Sequence, residues 1–311
     1  MSLPIGTYPE TTVTERAPEP SPQNQKSVSL SHALIAFGIE MLDLPGTWPT
    51  TVGPSRRSVR WRLDARPFVP SPRWWIRETD DGLIVHFEDE GEYRLRSGPS
   101  PEVFVTLGPS TEVEAALAFL LSVVPLALPL FDLEPFHGTA LEESQGSAVL
   151  VLGHAETGKS TTATALRGLG LRFLADDACA LDERGQLWPG PPLLSIQQLG
   201  ESDEEFAVYD GKSIVAVAGH DVSPRDVGAV FILRPERDEP LGIRPLTGRR
   251  AVEAVLGEVR APRVMPAHRE RLQFEAAVAL ARGPVGFLGF DKARHAPADV
   301  AGAIVEWIDD G

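Results

Sequence analysis

The chain has 311 residues, 42% hydrophobic and 23% charged, an ordinary balance for a soluble protein with room for one large or two modest domains. Its net charge of −15 disfavours broad electrostatic binding to nucleic acid or to an anionic membrane, because both would be repelled. The single cysteine, Cys179, excludes an internal disulfide and a cysteine zinc cluster and fits a reducing compartment, so a cytoplasmic location is expected.

Residues 1–27 are rich in Pro, Glu, Thr and Ser, lack the apolar stretch of a secretory signal and read as a disordered tail. Residues 28–131 read as a β-rich N-terminal subdomain that ends in a buried helix. Apolar and polar residues alternate over 60–64, 83–87 and 92–96, and the acidic turn at 88–91 makes the last two a hairpin. The neighbouring Trp74 and Trp75 read as packing residues rather than a stacking platform. Thr111 and Glu114 supply a capping box for a helix that starts near Ala115 and is expected to end near Pro125. The uncharged run 115–131 reads as slightly too short to span a bilayer, and it has no basic flank.

Residues 132–311 read as an α/β nucleotide-binding domain. Strand-like residues 136–141 lead through a turn at 142–146 into a buried strand at 147–153. A helix is expected over 161–167, a short strand over 171–175, a hairpin turn over 181–185 and a loop over 186–192. The acidic stretch 200–205 reads as a flexible loop. Further strands are expected at 228–233 and 285–290, and helices at 248–259, 268–281 and 297–308, with Pro297 in a first helical turn.

Between the strand and the helix stands Gly153-His154-Ala155-Glu156-Thr157-Gly158-Lys159-Ser160, a complete G-x-x-x-x-G-K-[ST] phosphate-binding loop. Its glycines let backbone N–H groups converge on phosphate oxygens, and the following helix N-terminus at Thr161 adds a partial positive charge. Lys159 suits the β- and γ-phosphates, and the Ser160 hydroxyl suits Mg²⁺. Glu156 would repel a triphosphate unless it points outward, and an outward placement is expected. The expected ligands are therefore ATP and Mg²⁺.

Asp176 and Asp177 end the strand after the loop helix, where carboxylates can hold a metal or accept a proton from an attacking hydroxyl. His137 precedes the loop strand and is either a proton partner at the same sheet edge or a packed histidine. Lys212, Arg234, Arg249 and Arg250 are weaker candidates for extra phosphate contacts.

The run Phe136-His137-Gly138, the phosphate loop, and Leu174-Ala175-Asp176-Asp177, in that order, resemble the catalytic domain of the HPr kinase/phosphorylase family and of the looser HPr-kinase-like group found beside peptide-modification genes. The resemblance covers about residues 136–181. It implies a P-loop kinase fold resembling the HPr kinase C-terminal domain, with His137, Lys159 and Asp177 catalytic and Asp177 taking the proton of a substrate serine. It also implies Mg²⁺ on Ser160; of the two adjacent carboxylates beside the triphosphate, Asp176 is read as the one near the metal. The family's Gly-rich signature downstream of the aspartates has no counterpart here, residues 197–201 being a poor echo. That argues against HPr as substrate and against the phosphorylase reaction.

The sequence thus reads as an ATP- and Mg²⁺-dependent kinase acting on a hydroxyl, foremost a serine of a peptide or protein. Its rivals are a small-molecule kinase on the same scaffold and a nucleotide-gated binding module with weak hydrolysis. Neither a nucleic-acid nor a membrane partner is expected, and a homo-oligomer is compatible with the resemblance.

Overall fold

In the N-terminal part, alternation builds a seven-stranded sheet. Its strands lie in the order Leu34–Ala36, Ile39–Leu42, Arg57–Leu63, Glu102–Leu107, Gly91–Arg96, Gly82–Phe87, Trp75–Thr79. The computed structural model from which this is drawn describes residues 34–49, 51–71, 73–87, 90–196, 204–218, 220–260 and 267–310, which belong to one compact unit, His32–Gly311. The expected tail at 1–27, residues 88–89 of the acidic turn, the stretch 197–201 and most of the acidic loop 200–205 lie outside the described residues. The expected hairpin is present, with Val85 opposite Tyr93 in an antiparallel pair. Trp75 stacks on the buried His86 ring at 5.1 Å, which is packing, whereas Trp74 is exposed.

One face of this sheet, with Val59, Trp61, Tyr93, Val103 and Val105, packs on a helical run. Thr111 caps its first segment, Glu112–Ala118, through the expected capping box with Glu114. The helix does not end near Pro125. A π-helical turn over Phe119–Val123 leads into Val124–Ala127 and then a 3₁₀ turn, Leu128–Phe131. The reason is local: the π turn sends the Val124 N–H to Phe119 O, and Pro125 falls in the first turn of the next segment, where a missing donor costs little. The run Glu112–Phe131 is 20 residues, so by length and composition alone it could cross a membrane, contrary to the expectation from 115–131; its most apolar window is 67% buried within this fold.

The second large sheet has six strands, in the order Arg172–Ala175, Gly138–Glu142, Ala148–Leu152, Val227–Pro235, Val285–Phe290, Gly242–Leu246. Ala148–Leu152, Val227–Pro235 and Val285–Phe290 run parallel. Their near-continuous apolar runs fit strands covered on both faces. Helices Lys159–Gly168 and Pro297–Asp309 cover one face through Ala163, Leu166, Val300, Ala301 and Ile304. Helices Gly248–Leu256 and Ala267–Leu280 cover the other through Ala251, Val255, Ala276, Ala277 and Leu280. The fold is mixed α/β with several sheets.

Two three-stranded sheets and a parallel pair of two-residue strands, His220–Asp221 with Thr51–Val52, complete it among the described residues. Leu187–Trp188, Cys179–Leu181 and Glu134–Phe136 form one three-stranded sheet, around a turn at 182–185; of the expected turn 181–185, Leu181 belongs to the strand. Leu193–Ile196, Lys212–Ala216 and Glu205–Tyr209 form the other, and sequence patterning did not reveal it. Lys212 opens a strand there, and Glu205 starts a strand rather than ending a loop.

Candidate functional site

Strand direction gathers the motifs. Gly138–Glu142 is antiparallel to both Ala148–Leu152 and Arg172–Ala175, so it begins where its two neighbours end. His137 before it, Gly153 after one neighbour and Asp176-Asp177 after the other therefore share one sheet edge. The His137 backbone joins two of these pieces, accepting from Gly153 N at 3.2 Å and donating to Glu258 O at 2.7 Å.

The phosphate loop has the backbone its glycines require. A Cβ on Gly153 would stand 2.7 Å from Thr157 Oγ1, and Gly158, at φ 104°, caps the helix in a conformation side chains rarely adopt. Thr157 Oγ1 donates to His154 O at 2.9 Å and Lys159 Nζ donates to the same carbonyl at 2.8 Å. Lys159 is 6% exposed. Burial pulls its ammonium below the ordinary lysine range, opposed by the nearby Asp177 and Asp176 charges. Glu156 is exposed. Lys292, which sequence reasoning did not single out, donates from Nζ to Glu156 O.

The two aspartates occupy different surroundings. Asp176 takes Thr139 Oγ1 at 2.6 Å and Ser160 Oγ at 3.2 Å on one oxygen, and the Ser195 backbone N–H at 3.1 Å on the other. Burial raises its pKa, with the neighbouring Asp177 charge adding to that, against the hydrogen bonds it accepts. Asp177 sits at φ 63°, with Ala178 N bonded back to Asp176 O at 2.8 Å, a tight three-residue turn uncommon for a side-chain-bearing residue. That turn aims its half-exposed carboxylate at His137 Nε2, 3.1 Å from Oδ1, and at Arg260 Nη1 on Oδ2. Burial alone would raise the Asp177 pKa, but the His137 bond and the Arg260 charge hold it well below the usual carboxylate range.

Every residue of the expected site thus falls at this edge: His137, the loop 153–160 with Thr161 behind it, Asp176 and Asp177. The weaker cations divide. Arg234 does reach the loop region, where it pairs with the buried Glu258, whose other oxygen lies 3.7 Å from His154 Nδ1. Arg249 forms an exposed pair with Glu253 one helical turn on, which accounts for it without a ligand, and Arg250 is exposed beside it. Lys212 joins the small sheet instead. Glu258 and Arg260 had no readable signal, because a short bridge between Phe136 and Val259 brings them in.

Among the described residues no group of three His, Cys, Asp or Glu stands together as a metal site. Ser160 and Asp176 nevertheless offer hydroxyl and carboxylate oxygens side by side, the donors magnesium takes.

No family model matches the chain. No curated protein matches it either. Among solved structures, the Hpr(Ser) kinase/phosphatase from Coxiella burnetii is similar over 57% of this chain and 92% of that one, at 16% identity and a TM-score of 0.31. At that score the likeness carries no assignment.

Proposed function

We propose that the chain is an ATP- and Mg²⁺-dependent kinase that transfers the γ-phosphate to a hydroxyl, foremost a serine of a peptide or protein. One observation carries the reading: Ser160 of the phosphate loop is hydrogen-bonded to Asp176, while the adjacent Asp177 is turned to His137. The loop N–H groups and Lys159 would cradle the phosphates, and Ser160 with Asp176 would hold the metal. Magnesium keeps several water ligands and leans on phosphate oxygens, so two protein oxygens suffice for it here. When bound, it supplies charge neutralisation at the transferring phosphate. Asp177 would orient the acceptor hydroxyl and take its proton, with His137 fixing the carboxylate. The motif resemblance favours a serine acceptor, and the −15 charge favours a neutral or basic sequence around it.

Incubation with ATP and serine-bearing peptides, followed by mass spectrometry, should show ADP release and one added phosphate per peptide. Phosphate gained only by a sugar, amino acid or nucleoside would replace the peptide reading. ATP left intact with every acceptor would end the kinase reading.

His137 is expected to matter to chemistry more than to folding, being 24% exposed and bonded through its ring, among the described residues, to Asp177 alone. His137→Ala should lower transfer about 10²-fold with a small change in melting temperature. Unchanged specific activity together with a large loss of thermal stability would make it a packed histidine.

A further inference from the structure

Residues 258–260 follow the helix Gly248–Leu256 and run beside residues 135–137, with Phe136 opposite Val259. Two backbone bonds fix the register: His137 N to Glu258 O at 2.7 Å, and Arg260 N to Pro135 O at 2.8 Å. In extended chain, residues two apart share a face. Glu258 and Arg260 accordingly both turn to the loop edge, one to Arg234 and His154, the other to Asp177.

Arg260 uses its guanidinium unevenly. Nη1 donates to the Asp177 backbone oxygen at 2.7 Å and to Asp177 Oδ2 as well, whereas Nε and Nη2 have no partner among the described residues. The side chain is 22% exposed, so that idle edge is open to solvent rather than sealed in the core. An N–H pair of this kind is the fork that matches two oxygens of a phosphate. It stands in the same cluster as Lys159, whose ammonium feels the Arg260 charge. Two cations and two aspartates thus gather around one sheet edge, and one edge of the Arg260 guanidinium is unpartnered among the described residues.

We propose that Arg260 contacts the terminal phosphate of a bound nucleoside triphosphate through Nε and Nη2 while Nη1 stays on Asp177. One guanidinium would then set the distance between the transferring phosphate and the carboxylate that orients the acceptor. This deepens the kinase reading and rests on it. A purely structural ion pair would hold Asp177 equally well with or without nucleotide, and would not discriminate ATP from ADP.

That difference is the test. Calorimetric titration of the full chain with Mg·ATP and with Mg·ADP is compared for wild type, Arg260→Ala and Arg260→Lys. Arg260→Ala should lose about tenfold in ATP affinity, the value of a charge-assisted bond, while ADP affinity changes less than about twofold. Arg260→Lys keeps the charge without the fork and should fall between. Equal losses for the two nucleotides, or no loss, would overturn the proposal and leave the kinase reading standing. Should Arg260→Ala fail to fold, Arg260→Lys decides alone, and a wild-type preference for ATP in it overturns the proposal. If the wild-type chain binds neither nucleotide, the kinase reading fails first and this proposal with it.

Discussion

Replacing Lys159 with alanine is expected to lower phosphoryl transfer by about 10³-fold or more, close to 4 kcal/mol of transition-state stabilisation. Lys159 opens the loop helix and is buried, with its ammonium held on the His154 carbonyl at 2.8 Å. Burial costs that charge something and pulls its pKa down, and phosphate oxygens would repay it. The charge that grows on the transferring phosphate is what the lysine meets, so the loss should appear in turnover. The cradle of backbone N–H groups survives the substitution, because Gly153 and Gly158 set its shape rather than the lysine. Nucleotide affinity should therefore fall much less than turnover. Parallel measurement of ADP release and equilibrium binding in Lys159→Ala separates the two effects. Wild-type turnover in that variant would remove the loop from the chemistry.

What the chain reveals before folding follows from how local each signal is. The phosphate loop, its strand and its helix are contiguous, so Ala148–Leu152 and Lys159–Gly168 stand within a few residues of the expected bounds. The capping box at Thr111 is equally local. The joint position of His137, Ser160 and Asp176-Asp177 was implied by motif order, and an antiparallel strand between two others delivers it. Signals that depend on distant pairing were not readable. Arg260 meets Asp177 across 83 residues of sequence, and Arg269 meets Glu134 across 135. The helix through Pro125 failed for a different reason: a π turn, which no composition rule announces, moves proline into a tolerant position. The strands at 193–196, 205–209 and 212–216 are short, which leaves little period to detect.

Loss of the Arg269 side chain is expected to destabilise the fold by about 3–5 kcal/mol, the cost of leaving one member of a buried ion pair alone. Helix Ala267–Leu280 carries Arg269, 2% exposed, onto the wholly buried Glu134, with Nε and Nη2 each 3.2 Å from one carboxylate oxygen. Burial raises the Glu134 pKa even with the arginine in place, while Arg269 and Gln273 beside the carboxylate oppose that rise. Arg269→Ala removes the arginine's charge and both of its bonds at once, so the carboxylate must take up a proton or draw in water. The damage would be local to the candidate site. Strand Glu134–Phe136 lies between Cys179–Leu181 and the segment 258–260, which position Asp177 and Arg260 from either side. Urea unfolding of Arg269→Ala should show the loss. The paired replacement Glu134→Leu with Arg269→Met should recover most of it, because apolar groups of similar volume avoid the desolvation cost altogether. Recovery is favoured further by Arg269 Nη1, which is buried with no partner among the described residues, so the native pair already bears an unsatisfied donor. A single variant as stable as the parent would mean that water reaches Glu134, and the strand before His137 would then owe its position to its pairing with Cys179–Leu181 and to the backbone bridge at Phe136 and Val259.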